Sequence, residues 1–239
     1  EATWTITYPE GAAELTHRVY TISDHRVVDG KVQVDIDVAL HDPGVGSNWA
    51  RDCAMGSRVG LLEPRGLYAA PAEVEWQLLV ADITGVPALA RILRGLQPGQ
   101  RAEAVVVVTD ADDEIPLPSA GDVKIHWQVV ERETDISGAL AAAVVERDLP
   151  DHESRYVWLA GEARASRAVR RHLRRELRWP QHDFYTCGYW QIDAEKWNAR
   201  YEQVADQVIA EAEEAQARAG DDEGAYLDAL EDIYDKAGL

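Results

Sequence analysis

Long apolar segments are missing from this sequence of 239 residues. Its longest apolar runs, near residues 78–80 and 105–108, have the length of strands, whereas a helix that crosses a bilayer needs about 20 apolar residues. The chain also shows no basic, apolar leader at its start. We therefore expect a cytoplasmic protein with no integral membrane segment.

Cysteine is scarce as well. The two cysteines, Cys53 and Cys187, are too few for a disulfide framework and lack the spacing of metal ligands. We expect two small buried thiols in a reducing compartment, and no protein-bound metal.

Positive charge is in short supply, because 24 Lys and Arg residues stand against 43 Asp and Glu residues. The net charge of −19 repels phosphate backbones and anionic membranes at long range, which argues against nucleic acid as a partner. With 46% hydrophobic and 28% charged residues, the composition is that of a folded globular protein. Any anionic ligand needs a local basic patch.

The first part of the chain has the alternating pattern of antiparallel strands. Strands are predicted at 4–8, 19–22, 32–38 and 58–62, with a short helix at 47–53. This pattern indicates part of an antiparallel barrel or sandwich. Because a closed small barrel needs about six strands or more, we expect further strands to precede this numbering.

From residue 76 onward, continuous apolar strands alternate with helices. Strands are predicted at 76–81, 104–109, 123–130, 156–160 and 183–187, and helices at 87–96, 136–147 and 166–178. This alternation indicates a parallel sheet covered by helices on both faces, that is, a doubly wound α/β domain. The expected regions are 1–70, 71–190 and a C-terminal extension, 191–239.

The C-terminal extension is rich in Ala and Glu and is predicted to form two acidic helices, at 193–219 and 221–237. Trp197, Tyr201 and Val204 begin an apolar stripe at helical spacing. The stripe favours a packed lid or brace, with a dimer interface and a mobile tail as alternatives.

One group of candidate site residues lies in the β-rich region. Arg18 offers a guanidinium for a phosphate, Tyr20 a ring for stacking, and Thr21 a hydroxyl for a ring edge. His41 precedes the glycine turn at 44–46, which opens the short helix. Backbone N–H groups at such a helix start can bind a pyrophosphate.

A second group follows the buried strands of the α/β region. Asp82 and Thr84 come after one strand, and Gly161 and Glu162 end another. Ligands in such sheets bind beyond the carboxyl ends of the strands. The chain has no Gly-x-Gly-x-x-Gly fingerprint for a dinucleotide.

The predicted helix 166–178 and the residues just before it carry seven arginines. They are Arg164, Arg167, Arg170, Arg171, Arg174, Arg175 and Arg178. The apolar stripe of this helix makes them mainly a solvated face, and the alternative is that the early arginines hold a nucleotide phosphate.

Seven short segments, taken in order, resemble the siderophore-interacting proteins, which are flavin-binding and ferredoxin-reductase-like. They are Arg-Val-Tyr-Thr at 18–21, Leu-His at 40–41, Gly-Ser-Asn-Trp-Ala at 46–50, Arg-Val-Gly at 58–60, Pro-Arg-Gly at 64–66, Asp-x-Thr-x-x-Pro-Ala at 82–88 and Gly-Tyr-Trp at 188–190. The resemblance implies an FAD-binding β-barrel followed by an NAD(P)H-binding α/β domain.

The resemblance also implies roles for individual residues. It places Arg18, Tyr20, Thr21, His41, Ser47, Asn48 and Trp49 around FAD, and Asp82, Thr84, Gly161 and Glu162 at the pyridine nucleotide. It adds Tyr189 and Trp190 beside the flavin ring, and gives Tyr20 and Trp190 the positions closest to the chemistry.

The implied reaction passes electrons from NADH or NADPH through FAD to a ferric siderophore of hydroxamate or catecholate type. An acidic set at 110–114 favours NADH, and reduced ferredoxin is an alternative donor. Three other functions stay open at this point: a flavin-containing siderophore carrier, a general ferric-chelate reductase, and a protein with no cofactor.

Overall fold

The protein is described here from a computed structural model, which covers residues 18–41, 44–151 and 154–239. The N-terminal part contains a β-hairpin formed by β1 (Ile22–Val28) and β2 (Lys31–Ile36), followed by helix α1 (Val45–Asp52). The hairpin turn uses Asp29 and Gly30, which both have positive φ, the geometry of a tight two-residue hairpin turn.

The N-terminal strand predictions hold only in part. No strand forms at 58–62, where every residue is exposed and no described strand pairs with the segment. Strand β1 begins at Ile22, so Arg18 and Tyr20 precede it rather than lie within it. The predicted strand 4–8 lies outside the described residues, and the described strands of this region form a two-stranded sheet. The closed barrel stays a prediction.

The second part of the chain forms a five-stranded parallel sheet. Its strands are β3 (Trp76–Asp82), β4 (Arg101–Val108), β5 (Asp122–Val129), β6 (Arg155–Glu162) and β7 (Phe184–Trp190), in the order β5-β4-β3-β6-β7. The chain leaves β3 toward β4 on one side and returns to β6 on the other. This reversal opens a crevice at the carboxyl ends of β3 and β6.

Helices cover both faces of the sheet, as predicted. Helix α2 (Val86–Gly95) packs on one face, and α3 (Glu133–Val145) and α4 (Ala163–Arg171) pack on the other. Strand β3 lies between them: Leu79 faces α2, Leu78 faces α3 and α4, and both are fully buried. Each such leucine contributes roughly 2 kcal/mol through burial.

The predicted helix 166–178 is two pieces. Helix α4 ends at Arg171, and a π-helical turn follows at His172–Glu176, which ends with the Leu177 N–H donating to the His172 carbonyl over 3.0 Å. Arg178, with a φ of 59°, terminates the segment.

The C-terminal region forms two helices, α5 (Ala194–Ala219) and α6 (Glu223–Ala237). They pack against each other around Val208, Ala215 and Ile233. Of the stripe expected from the sequence, Val208 lies in this cluster and Tyr201 and Val204 pack against it. Acidic residues of α6 meet the arginines of α4 and of the π turn. The pairs are Arg170 with Asp228, Arg171 with Glu231 and Asp235, Arg174 with Asp228, and Arg175 with Asp232.

This pairing corrects the interpretation of the arginines. Arg170 is buried, whereas Arg171 is exposed, as expected for a solvated face. Carboxylates of α6 engage all four side chains, which argues against a role for them in binding a nucleotide phosphate. The earlier arginines have weaker partners: Arg167 lies 3.5 Å from Gln191 and Arg164 lies 3.8 Å from Asp193. Helix α6 is therefore a brace on α4.

The cysteines differ from expectation. Cys53 is exposed and Cys187 is half-buried, and both are free thiols. Cys53 follows α1 in a segment with few neighbours, so no core forms around it. Within the described ranges, no helix has both the length and the apolar character that a bilayer span requires.

Candidate functional site

Asp82 is the centre of the crevice between β3 and β6. It ends β3 and is fully buried. Its Oδ1 atom accepts from the Thr84 backbone N–H over 2.9 Å and from the Thr84 hydroxyl over 2.6 Å. Its Oδ2 atom accepts from the Trp190 indole N–H over 2.7 Å. Three sequence-predicted residues thus meet in one hydrogen-bonded group.

Gly161 makes the room that this carboxylate needs. A Cβ atom at residue 161 would lie 2.8 Å from Asp82 Cγ and 3.1 Å from Leu140. Burial raises the pKa of Asp82, although hydrogen bonds from Thr84, Trp190 and the Glu162 backbone oppose that shift. The family resemblance places Gly161 at the pyridine nucleotide, whereas in the structure the Asp82 carboxylate fills the space above it.

Glu162 is also fully buried, and both of its carboxylate oxygens are engaged. Oε2 caps α4 by accepting from the N–H groups of Arg164 and Ala165, over 2.7 and 3.2 Å. Oε1 accepts from the Ile192 N–H over 3.1 Å. The side chain therefore fixes the start of α4 and the segment that follows β7.

Tyr189 links the α/β region to the N-terminal part. Its phenol lies beside the Thr21 side chain: burial raises the pKa of Tyr189, and Thr21 opposes that shift. On α2, Arg91 donates to the Ile22 carbonyl over 2.6 Å and Arg94 donates to the Ser23 carbonyl. These contacts hold the start of β1 against α2. No local pattern in the sequence indicates this role of Arg91 and Arg94.

A second cluster surrounds α1. The Tyr20 hydroxyl lies so near Gly46 that a Cβ atom there would overlap it. The Ser47 hydroxyl accepts from the His41 backbone N–H over 3.1 Å, and the His41 ring lies against Gly44. Tyr20, His41 and Ser47 are thus brought together, as the sequence predicted. Their contacts, however, are with one another and with the glycine turn.

The residues around α1 suit a flavin nucleotide. Gly44 caps α1 without a side-chain hydrogen bond, and the first turn has no acidic residue, so its N–H groups suit a phosphate. Tyr20 is 42% exposed and Trp49 is 46% exposed, which leaves two aromatic faces for an apolar ring. Arg18 and Asn48 are exposed nearby in the chain.

A separate cleft lies between β7, α4 and α6. It has a volume of about 660 Å³, and its lining includes Arg167, Arg170, Tyr185 and Tyr234. Asp82, Trp190 and Tyr20 do not line it. The cleft therefore stands apart from Asp82, Trp190 and Tyr20, whereas Arg167, Arg170 and Gly188, which the sequence also singled out, lie in its lining.

Comparison with known proteins matches the N-terminal part and the α/β part of the chain to models of siderophore-interacting proteins. Residues 74–193, half of the chain, match the model described as siderophore-interacting protein. Residues 1–68 match the model described as siderophore-interacting FAD-binding domain.

Two curated relatives are similar over most of this chain. A ferric vibriobactin reductase of Vibrio cholerae is 28% identical over 175 residues, which is 72% of this chain and 64% of the relative. A ferric acinetobactin reductase of Acinetobacter baumannii is 28% identical over 183 residues, which is 76% of this chain and 62% of the relative. The chain thus spans somewhat under two thirds of the length of these relatives.

Solved structures agree with the fold. A siderophore utilization protein from T. fusca is 31% identical, with a TM-score of 0.63 over 74% of this chain and 66% of that one. A siderophore-interacting protein from Acinetobacter baumannii is 24% identical, with a TM-score of 0.66 over 84% of this chain and 80% of that one. At this identity, the likeness supports the fold alone. With both regions matched in sequence and the α/β sheet matched in structure, the chain belongs to the siderophore-interacting protein family.

Proposed function

We propose that this chain is an FAD-dependent ferric-siderophore reductase. The observation that carries the proposal is the contact between the N-terminal part and the α/β sheet. Arg91 and Arg94 of α2 donate to the Ile22 and Ser23 carbonyls, which directly follow the motif at 18–21 that suits a flavin. The Tyr189 phenol of the Gly-Tyr-Trp segment at the carboxyl end of β7 lies beside the Thr21 side chain of that motif. A two-region flavin reductase needs its two ligand sites to meet in this way.

Each residue of the α1 cluster then has a binding task. The N–H groups at the start of α1 hold phosphate, and Arg18 adds a guanidinium at the same end. Tyr20 and Trp49 supply apolar surface to the ring system, and Thr21 fixes the position of Tyr189. FAD, when bound, accepts a hydride and passes electrons singly to Fe(III).

The substrate is a ferric chelate with hard oxygen ligands. The relatives are named as reductases of ferric vibriobactin and ferric acinetobactin, and we extend that substrate class to this chain. Such ligands bind Fe(III) much more strongly than Fe(II), because Fe(III) is the harder cation. One-electron reduction therefore loosens the chelate and releases the iron.

The proposed electron donor is NADH. Asp112 and Glu114 are exposed just past the carboxyl end of β4, and Asp110 accepts from the Asp112 N–H over 2.9 Å. Carboxylates at this edge favour ribose hydroxyls and repel a 2′-phosphate. The arginines that would offset this charge on α4 are engaged by α6.

A second candidate is a flavin-containing carrier, or a reductase driven by ferredoxin. One observation favours it: the carboxylates of Asp82 and Glu162, which the family resemblance assigns to a pyridine nucleotide, have all their oxygens in internal hydrogen bonds. Such side chains have little left to offer NADH.

An anaerobic absorbance titration tests the proposal and separates the two candidates. The purified chain, loaded with FAD, is titrated with NADH, then NADPH, and then with a stoichiometric ferric hydroxamate in the presence of an Fe(II) trap. Bleaching by NADH, followed by recovery of the flavin spectrum and appearance of Fe(II), supports the reductase. Bound flavin that neither donor bleaches but reduced ferredoxin does supports the second candidate. Failure to retain FAD contradicts both.

A further inference from the structure

The indole of Trp190 has a fixed hydrogen-bond partner. Trp190 ends β7, and its Nε1–H points to Asp82 at the end of β3, two strands away in the sheet. Trp190 is half-buried, so its indole could otherwise exchange its partner for water. A buried carboxylate is a stronger acceptor than water, and it holds the ring in one place.

Hydrogen bonds and close packing hold the Asp82 side chain in one position. The Thr84 backbone N–H and the Thr84 hydroxyl both donate to Oδ1, over 2.9 and 2.6 Å. Gly161 leaves just the space that the carboxylate occupies, with Leu140 beside it. The side chain is fully buried. A nucleotide in the crevice would therefore reach Asp82 only by displacing one of these donors.

We propose that Asp82 is a positioning residue for Trp190 and not a ligand of the pyridine nucleotide. Thr84 and Gly161 hold the carboxylate, and the carboxylate holds the indole at the mouth of the crevice. The inference rests on the proposed function in one respect: the proposed function places the flavin ring beside the Trp190 indole. The Asp82–Trp190 contact itself involves only residues of this chain.

An amide cannot replace this carboxylate. Asp82 accepts at both oxygens, whereas an asparagine has one acceptor and one donor group. If its oxygen faces the two Thr84 donors, its NH₂ group faces the indole N–H, and two donors then oppose each other. Asp82→Asn therefore keeps the volume of the side chain and releases Trp190.

The first test uses the full chain without flavin, labelled with ¹⁵N in its indoles. The sequence has eight tryptophans, and Trp190→Phe identifies the Trp190 resonance by its loss. We expect Asp82→Asn to shift that resonance and to speed exchange of its indole proton about tenfold or more. The other seven resonances keep their positions, which reports that the fold is intact. An unchanged Trp190 resonance and exchange rate would overturn the proposal.

A matched pair at residue 84 keeps the test decisive if Asp82→Asn folds poorly. Thr84→Ser retains the hydroxyl and should leave the Trp190 resonance as it is. Thr84→Val removes the hydroxyl with little change in volume and should shift the resonance. Equal spectra for the two variants would contradict a role of Thr84 in holding the carboxylate.

The second test asks whether Asp82 acts through Trp190. The rate at which NADH bleaches bound FAD is measured for the wild type, Asp82→Asn, Trp190→Phe and the double variant. We expect Asp82→Asn to change the rate by about tenfold in the wild-type background and by less than about twofold in the Trp190→Phe background. A nucleotide ligand would give the same effect in both backgrounds, which would overturn the proposal. If NADH bleaches none of the four proteins, the proposed donor fails while the resonance test still decides the role of Asp82.

Discussion

The Arg171 Nε–H on α4 donates to Glu231 on α6 over 2.9 Å, and the Glu231 side chain is only 4% exposed. Arg175 lies 3.7 Å from the other oxygen of the same carboxylate. One buried acid thus joins two cations that are four residues apart on the opposite element, and it fastens the C-terminal helices to the α/β sheet.

Removal of this charge should loosen the brace. We expect Glu231→Gln to lower the free energy of unfolding by about 1–3 kcal/mol, because two guanidinium groups lose a buried negative charge and one acceptor oxygen becomes an NH₂ donor. Chemical denaturation measures the change. Glu202→Gln on α5 is the control, since Glu202 is exposed and has no ion pair among the described residues, and it should shift stability by less than about 0.5 kcal/mol. If both substitutions changed the free energy of unfolding equally, the role of Glu231 in bracing α4 would be contradicted.

Two glycines should respond in opposite directions to alanine. At Gly161 the added methyl group meets Asp82 and Leu140, and we expect a loss of about 1–3 kcal/mol in the free energy of unfolding. Gly138 lies in α3, is exposed, and has open space around its Cα. Gly138→Ala should stabilise the protein by roughly 0.5–1 kcal/mol through helix propensity. Thermal unfolding of both variants checks the contrast, and a neutral Gly161→Ala would contradict the close approach.

The stability of the protein should depend on pH through Asp82. Burial raises its pKa in the folded state above the value of 3.8 for the unfolded chain. Between these two values the folded state binds more protons than the unfolded state, so this group's contribution is largest in acid and falls as pH rises. We expect the free energy of unfolding of the wild type, minus that of Asp82→Asn, to decline from about pH 4 toward neutral pH. A difference that increases with pH would contradict the raised pKa.

Donor preference should follow the charge beyond β4. We expect Asp112→Lys to improve bleaching of bound flavin by NADPH relative to NADH by about tenfold, because a carboxylate that repels a 2′-phosphate becomes an ammonium that attracts it. Anaerobic kinetics with both donors measure the ratio. Asp206→Lys on α5 makes the same change in net charge away from β4 and should leave the ratio unchanged. If both variants shift the ratio equally, the effect comes from net charge alone.

The sequence predicts the α/β half closely because its strands are continuous apolar runs buried on both faces. A continuous apolar run is stable only when both of its faces are buried, so it indicates a central strand of a parallel sheet. The strands at 76–82 and 155–162 form where this pattern predicts them. The segment at 58–62 has a similar local pattern but no described strand beside it. Strand formation depends on a partner, and local sequence does not specify one.

The candidate site could be predicted as a set of residues but not as a set of contacts. The motifs singled out Asp82, Thr84 and Trp190 separately, and only the folded sheet brings the indole of residue 190 to the carboxylate of residue 82, 108 positions away. The same holds for the arginines of α4, whose partners on α6 are 54–64 residues distant. Long-range pairing of this kind leaves no local signal.

The engagement of the α4 arginines by α6 also bears on how fast a charged reactant reaches the protein. The net charge of −19 already counts these arginines, and their ion pairs with α6 leave them little attraction for a further anion, so an anionic chelate approaches against a repulsive field. Added salt shortens the Debye length, to about 8 Å at 0.15 M, and screens the repulsion. The association rate of an anionic ferric chelate is therefore expected to rise with ionic strength, opposite to the behaviour of enzymes that attract their substrates electrostatically.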